Sequence, residues 1–476
     1  MAQSLTPDLC VIGAGAGGLS VAAGAAALGV SVVLVEKGAM GGECLNVGCV
    51  PSKALIAAGE AAAAMRTAPR FGLRAHEPAA DYARVRAHVC DVISAIAPND
   101  SAARFRAMGV TVIEAAGRFA DPRTLLAGEH EIRARRFVVA TGSKPARPAI
   151  PGLDLVHWHT NETIFDLEVL PPRLVVIGAG AVGLELAQAF RRLGSDVTVL
   201  EAGTALAAED PELVEPMRRQ LRREGVDLRE GVAITRIEPR GGGARIVLPG
   251  HLIEETIDAS HLLIAAGRTP FVESLGLEEA GVAFDRASGI AVDARMRTSN
   301  RRVYAVGDVA ACGPRLTHAA NAQAGVVLRH ALFRLRARYD AQAIPRAVYT
   351  SPEIAGVGLT EAQARARHKT IRVLRWPFGE NDRAVAEGTI EGHVKIIATP
   401  RGRILGAGIV GPAAGELIAL YALAIQKGLG LRDLAALTLP YPTLSETARR
   451  AALTHFSASL SNPWLRRILR LLRLFG

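Results

Sequence analysis

Short apolar runs without alternation, each closed by glycine, recur along this chain. Such runs fit strands buried on both faces, as in parallel sheets. The first is Leu9-Cys10-Val11-Ile12, which leads straight into Gly13-Ala14-Gly15-Ala16-Gly17-Gly18. An Ala-rich helix to about Leu28 is predicted next, then a strand from Ser31 to Val35 that ends on Glu36. The same order returns later. Leu174 to Ile177 reads as a strand and Gly178-Ala179-Gly180-Ala181-Val182-Gly183 as its loop. A helix then runs to about Leu193, and Asp196 to Leu200 is a strand ending on Glu201.

In both copies the acid stands 23 positions after the first glycine. A lone glycine loop can be a plain turn, but two complete strand-loop-helix-strand-acid units read as a duplicated dinucleotide-binding unit. Gly13 and Gly178 permit the tight turn, Gly15 and Gly180 admit a pyrophosphate, and Gly18 and Gly183 let the helix pack on the strand. The helix N-terminus then favours the phosphate charge. Glu36 and Glu201 are expected to accept hydrogen bonds from ribose hydroxyls. A carboxylate at Glu201 repels a 2′-phosphate, and no Arg lies between Ala202 and Ala208, so NADH is expected over NADPH at the second site. Phe137 to Ala140 and Leu262 to Ala266 echo each other as strands that return the chain, and Val303 to Val309 reads as a further buried strand ending in an acid. Pro145, Pro148 and Pro151 predict a rigid linker.

At 476 residues the chain is too long for one core. Apolar residues are 49% and charged residues 21%, ordinary for a soluble globular protein. No run of about 18 uncharged apolar residues predicts a membrane span. Met1 to Thr6 lacks a basic segment, so no secretion signal is expected, and a cytoplasmic protein is. The net charge of +10 comes from Arg scattered along the chain, which does not predict a nucleic-acid partner.

The five cysteines, Cys10, Cys44, Cys49, Cys90 and Cys312, are too few for a disulfide framework. Only Cys44 and Cys49 are close, within Gly41-Gly42-Glu43-Cys44-Leu45-Asn46-Val47-Gly48-Cys49-Val50-Pro51-Ser52-Lys53. Their spacing predicts a pair joined across one helical turn. Zinc would need further Cys or His ligands nearby, and none is local, so no resident metal is expected. A redox dithiol is the expected reading, and the other three cysteines are expected to be inert.

The cysteine segment resembles the active site of the class I flavoprotein disulfide reductases, which include dihydrolipoamide dehydrogenase, glutathione reductase and mercuric reductase. The resemblance runs from residue 8 to about 450. Thr141-Gly142, Gly307-Asp308, Ser351-Pro352-Glu353 and Pro442-Thr443-Leu444-Ser445-Glu446 follow in family order. It implies an α/β fold with two Rossmann-like dinucleotide-binding domains and a C-terminal α/β dimerisation domain. FAD binding is expected at 1–150 with 271–345, NAD(H) binding at 151–270, and dimerisation at 346–460. It further implies a homodimer, FAD held by the first site with Thr141, Gly142 and Asp308, and NAD(H) in the second with Gly267 at its edge. Cys49 is then the thiolate against the flavin and Cys44 the thiol that meets the acceptor. Lys53 is expected near the flavin and paired with Glu185, and His318 near the flavin and the cysteines.

One position departs from the family pattern. Its members carry a C-terminal His-Pro followed by Glu, the His being donated across the dimer as general acid–base. Here Glu446 is present, but Tyr441 stands where the His belongs. Tyr, with a reference pKa of about 10, is a poor base at neutral pH. Tyr in this region resembles mercuric reductases, as do Asn381-Asp382-Arg383-Ala384 and Ala97-Pro98-Asn99-Asp100-Ser101. No cysteine follows Cys312 to form their C-terminal pair, and no N-terminal metal-binding domain is expected. The acceptor is therefore open between a soft metal ion or other small oxidant, a lipoamide-like disulfide and oxygen. A non-catalytic, membrane-associated redox sensor is a further reading.

Residues 461–476 form a basic amphipathic tail. Pro463 suits a helix start. Arg466, Arg467, Arg470 and Arg473 fall on one side of a helical wheel, and Trp464, Leu465, Ile468, Leu469, Leu472 and Phe475 on the other. Such a helix can lie on an anionic membrane at its inner face, or dock on the protein or a partner.

Overall fold

A computed structural model describes residues 3–250, 253–460 and 463–475. The tail residues Ser461, Asn462 and Gly476 therefore lie outside the described residues. The chain forms two compact units: Met1–Thr204 with Gly225–Ala341, and Ala205–Glu224 with Gln342–Gly476.

The first unit carries two parallel sheets of matching design. One has five strands in the order Val303–Ala305, Arg136–Val139, Leu9–Ile12, Val32–Glu36 and Thr111–Glu114. The other has four, Asp227–Glu230, Asp196–Glu201, Arg173–Ile177 and His261–Ile264. In each, the strand before the glycine loop lies between the strand that ends on the acid and the returning strand. Leu9, Val11, Val138, Val176 and Leu262 are all fully buried, which is why these runs carry no polar alternation. The helices Ala16–Ala26 and Ala181–Leu193 follow the two loops.

Two predicted elements differ. The run from Val303 is a strand only to Ala305; Gly307–Val309 is a 3₁₀ turn, so Asp308 sits on a turn. Gly307, at φ +75°, ends the extended run. The segment read as a proline linker begins inside structure, because Ser143–Pro145 pairs antiparallel with Arg268–Pro270.

The second unit is built on a five-stranded antiparallel sheet, Arg346–Val348, Glu353–Gly358, Ile404–Gly411, His393–Ala398 and Arg372–Pro377. Residues 205–224, inside the span expected for NAD(H) binding, cluster with this unit by packing. The reason is packing and charge. Leu213 of the helix Pro211–Arg223 fills the space over Gly408, where an added Cβ would come within 2.3 Å of it. The buried Lys395 ammonium lies 2.7 Å from Asp210, 2.7 Å from Glu212 and 2.8 Å from Glu361. The tail is helical over Pro463–Leu472, with Trp464, Ile468, Leu469, Leu472 and Phe475 exposed. No helix among the described residues is long and apolar enough to cross a membrane.

Candidate active site

The cysteine segment is two helices, not one turn. Gly42–Asn46 carries Cys44, and Cys49 opens the long helix Cys49–Thr67. The break at Val47-Gly48 corrects the expected single-turn span. Gly48 is required there, since a Cβ would lie 2.9 Å from the Glu43 carbonyl oxygen. Two glycines seat the segment on the first glycine loop: Gly41 N–H donates to the Ala14 carbonyl at 3.0 Å, and a Cβ on Gly42 would come within 2.6 Å of Gly15 Cα.

Both cysteines are free thiols and hydrogen-bond each other. Cys49 Sγ lies 3.6 Å from Thr317 Oγ1. The hydrogen bond from Cys44, with help from Thr317 and the Lys53 charge, brings the Cys49 thiol down to about 6. Cys44 is pushed up, first because it donates to Cys49 and then by burial. One proton is thus held on Cys44 while Cys49 is the thiolate, at a helix N-terminus that favours negative charge. Of the other cysteines, burial pushes Cys10 up and Cys312 up to about 11, while Cys90 is exposed.

Lys53 Nζ meets Glu185 Oε2 at 2.7 Å, with the Glu185 side chain only 5% exposed. A buried carboxylate is costly without such a partner. The contact is possible because Gly59 lets its helix approach Ala189 closely: a Cβ there would stand 3.2 Å from the Ala189 carbonyl oxygen.

The two glycine loops match in detail. Gly13 and Gly178 have φ near +105° and +108°, and a Cβ on either would strike the returning strand's end, Ala140 O at 2.4 Å or Ala265 O at 2.5 Å. On Gly18 or Gly183 it would strike the first glycine's carbonyl oxygen at 1.9 or 2.0 Å. The middle glycines are open: a Cβ on Gly180 meets nothing within 4 Å, and on Gly15 only Gly42 Cα at 3.9 Å. That leaves backbone a phosphate can approach, so both loops fit a dinucleotide. Glu36 accepts from Ala14 N–H at 2.6 Å and Gly38 N–H at 2.7 Å; Glu201 accepts from Ala179 N–H at 2.8 Å and Gly203 N–H at 2.9 Å. Beside the second loop opens a cleft of about 620 Å³, lined by Gly178, Gly180, Glu201, Gly267, Arg268 and Asn161 among others.

Thr141 Oγ1 donates to the Phe271 carbonyl at 2.8 Å, and Gly142 turns the chain at φ +70°. Asp308 accepts from Ser143 Oγ at 2.6 Å. His318 is exposed in the first turn of the helix Thr317–Phe333, and it is its neighbour Thr317 that touches Cys49. Tyr441 and Glu446 belong to the second unit, Cys44 and Cys49 to the first. Tyr441 is exposed, and its hydroxyl donates to Asp382 Oδ2 at 2.6 Å. Glu446 pairs with Arg450 at 3.0 Å. Asn381 Nδ2 donates to the Thr443 carbonyl at 3.0 Å, which joins the Asn381–Ala384 segment to the Tyr441 loop.

Sequence reading missed a second layer of the site. Glu43, next to Cys44, has both carboxylate oxygens held, by Asn161 at 2.6 Å and by Arg268. Asn161 also donates to the Val47 carbonyl at 3.1 Å, and Arg268 to Ser143 Oγ at 2.7 Å. Glu43's place inside the cysteine motif was the available signal; Asn161 and Arg268 are more than a hundred positions away.

Comparison with known proteins shows the family of the chain. Residues 7–324 match the pyridine nucleotide-disulphide oxidoreductase family model, and residues 344–452 its dimerisation domain. The chain is 39% identical to a dihydrolipoyl dehydrogenase of Thermus scotoductus, covering 94% of this chain and 97% of that protein. It is 34% identical to a mercuric reductase of Staphylococcus aureus, covering 94% and 82%. Among solved structures, a Cu(II) complex of the HOCl-induced flavoprotein disulfide reductase RclA from Escherichia coli is similar, with TM-score 0.82 and 26% identity over 93% of this chain and 98% of that one.

Proposed function

Because this chain belongs to the pyridine nucleotide-disulphide oxidoreductase family, whose enzymes use FAD and NAD(P)H, we propose that it passes electron pairs from NADH through Cys44 and Cys49 to a soft metal ion. The reading allots 1–150 with 271–345 to FAD, 151–270 to NADH and 346–460 to the contact of a homodimer. Bound FAD supplies the two-electron relay between nicotinamide and the thiol pair. Gly13, Gly15, Gly18, Glu36, Thr141, Gly142 and Asp308 would hold it, with His318 at the rim. Gly178, Gly180, Gly183, Glu201 and Gly267 would hold NADH. Lys53, paired with Glu185, would face the flavin.

The observation that carries the choice of acceptor is Tyr441. Reducing a disulfide releases a thiolate that needs a proton, which a general acid near neutral pKa supplies. Tyr441 is held by the carboxylate of Asp382, which raises its pKa above the ordinary 10. A divalent soft ion needs no such proton. It needs thiolates, which Cys49 provides directly and Cys44 after losing its proton to water. The balance for Hg(II) is one hydride equivalent from NADH and one ion in, the neutral metal, NAD⁺ and one proton out; Cu(II) takes one electron each, so two ions leave as Cu(I) with NAD⁺ and one proton. The relative that is a mercuric reductase supports this reading. The 39% identity to a dihydrolipoyl dehydrogenase supports a second, lipoamide-like reading.

The test is an anaerobic acceptor screen with FAD-loaded enzyme. NADH oxidation that depends on Hg(II) or Cu(II), and is lost in Cys44→Ser, is the expected result. Lipoamide turnover equal to or faster than metal-dependent turnover overturns it in favour of the second reading. The exposed apolar face and four arginines of the tail support a peripheral contact with an anionic membrane surface.

A further inference from the structure

Glu43 is the only acid inside the cysteine motif, and it is half-buried. Burial raises its pKa, and Arg268 and then Asn161 offset this. Both holders line the 620 Å³ cleft beside the second glycine loop. Asn161 bridges the Glu43 carboxylate and the Val47 carbonyl, so it brackets the stretch that joins Cys44 to Cys49. Arg268 continues through Ser143 Oγ to Asp308, 2.7 and 2.6 Å per step. An unbroken polar chain thus runs from Asp308 to the cysteine loop, and two of its members, Arg268 and Asn161, line the cleft.

We propose that Glu43 is a positioning residue that makes the thiol pair responsive to nucleotide in the cleft. This rests on the cleft being the dinucleotide site. A dinucleotide brings a doubly charged pyrophosphate into a cleft whose lining cation, Arg268, is already spent on Glu43. The ligand and Glu43 compete for one guanidinium, which has a fixed set of donors. As the ligand draws on Arg268, Glu43 loses its counter-charge and its hold on the Cys44 helix weakens. The thiols then become easier to reach. The cycle gains order from this: the pair opens to an acceptor when reductant is bound. A neutral side chain at 43 would leave the loop in its released state with or without nucleotide.

The test reads thiol accessibility, not turnover. FAD-loaded, dithiothreitol-reduced enzyme is alkylated with iodoacetamide, and Cys44 and Cys49 are followed by mass spectrometry. ADP-ribose is the probe, since it carries the pyrophosphate and cannot accept hydride; its occupancy is checked by competition with NADH. In the unmutated enzyme, saturating ADP-ribose should speed alkylation at least about fivefold, the low end of ordinary coupling between sites. Glu43→Gln should react at the fast rate without ADP-ribose and gain nothing from it. Asn161→Ala, which keeps the Glu43–Arg268 pair, should start faster than the unmutated enzyme and still respond. No acceleration or a slowing in the unmutated enzyme, or an equal response in Glu43→Gln, overturns the proposal. If Glu43→Gln fails to fold, loss of the response in Asn161→Ala does so. The choice of metal ion as acceptor is untouched by any of these outcomes, because no acceptor is present.

Discussion

Tyr441 donates its hydroxyl proton to Asp382 Oδ2 at 2.6 Å, and this bond decides what Tyr441 can do. The carboxylate stabilises the protonated phenol, so the group stays neutral well past neutral pH. A general acid–base is worth roughly 10²–10⁴-fold. Tyr441→Phe should therefore cost metal-dependent NADH oxidation less than about tenfold, well short of that range. Tyr441→His should raise lipoamide turnover by about tenfold or more, since it restores a group near neutral pKa. Steady-state rates with both acceptors check the pair. Asp382→Asn should lower the pH at which the Tyr441 phenolate appears in an ultraviolet titration.

Thr317 stands 3.6 Å from Cys49 and helps hold its thiolate. The Cys49 thiol, an acid, has its pKa lowered from 9.0 to about 6, so thiolate forms as pH rises through about 6. At pH 7 the reduced enzyme should carry mostly thiolate on Cys49. Thr317→Val removes one hydrogen bond to a charged group, worth about 1.5–3 kcal/mol, and should raise the midpoint by about one to two pH units. The thiolate-to-flavin charge-transfer band, followed against pH, reads this directly. Cys49→Ser should lack the band at every pH.

Glu201 ends its strand accepting from Ala179 and Gly203 N–H groups, a geometry that fixes the carboxylate at the rim of the cleft. Glu201→Gln removes the charge that favours a ribose diol and repels a 2′-phosphate. The expected result is a loss of roughly tenfold or more in kcat/KM for NADH, with a smaller loss or a gain for NADPH. Parallel initial rates with the two nucleotides check it.

Much of this was legible in the residues. The two dinucleotide units could be read because glycine, strand and acid are local in sequence, and each glycine answers a backbone need: positive φ at Gly13 and Gly178, close approach at Gly18 and Gly183. The second layer was not legible. Glu43 meets Asn161 118 positions away and Arg268 225 away, and no periodicity reports a contact of that range. Thr317 reaches Cys49 from the first turn of its helix, 268 positions away, which is again beyond what local pattern reports. The packing of the helix at 211–223 is equally non-local, since its anchor Lys395 lies far downstream.

Lys395, only 3% exposed in its side chain, faces Asp210, Glu212 and Glu361. Lys395→Met should destabilise the protein by about 3–5 kcal/mol at neutral pH, because the buried Asp210 loses the cation it faces, while Glu212 and Glu361 keep only their more exposed arginines, Arg375 and Arg365. Glu212, lowered from 4.5 to about 2 by Arg375 and then Lys395, and Glu361, lowered by Lys395, set the pH window. A lowered carboxylate contributes stability that is present above its ordinary pKa and lost as pH falls through the lowered one. The gap in Tm between the two proteins should be full above about pH 4.5 and close toward pH 2.

The tail exposes Trp464, Ile468, Leu469 and Leu472 on its helix and Phe475 just beyond it, with Arg466, Arg467, Arg470 and Arg473 and no acid among residues 463–475. An apolar face of this width can enter a lipid headgroup layer, while each arginine adds about 1 kcal/mol near an anionic surface. The arginine share is screened by salt and the apolar share is not. Full-length protein should co-sediment with vesicles containing phosphatidylglycerol, bind them less in molar salt, and bind phosphatidylcholine vesicles weakly. A chain cut after Ser461 should lose the binding and keep NADH-dependent turnover. Equal sedimentation of the two chains would show that the helix docks elsewhere.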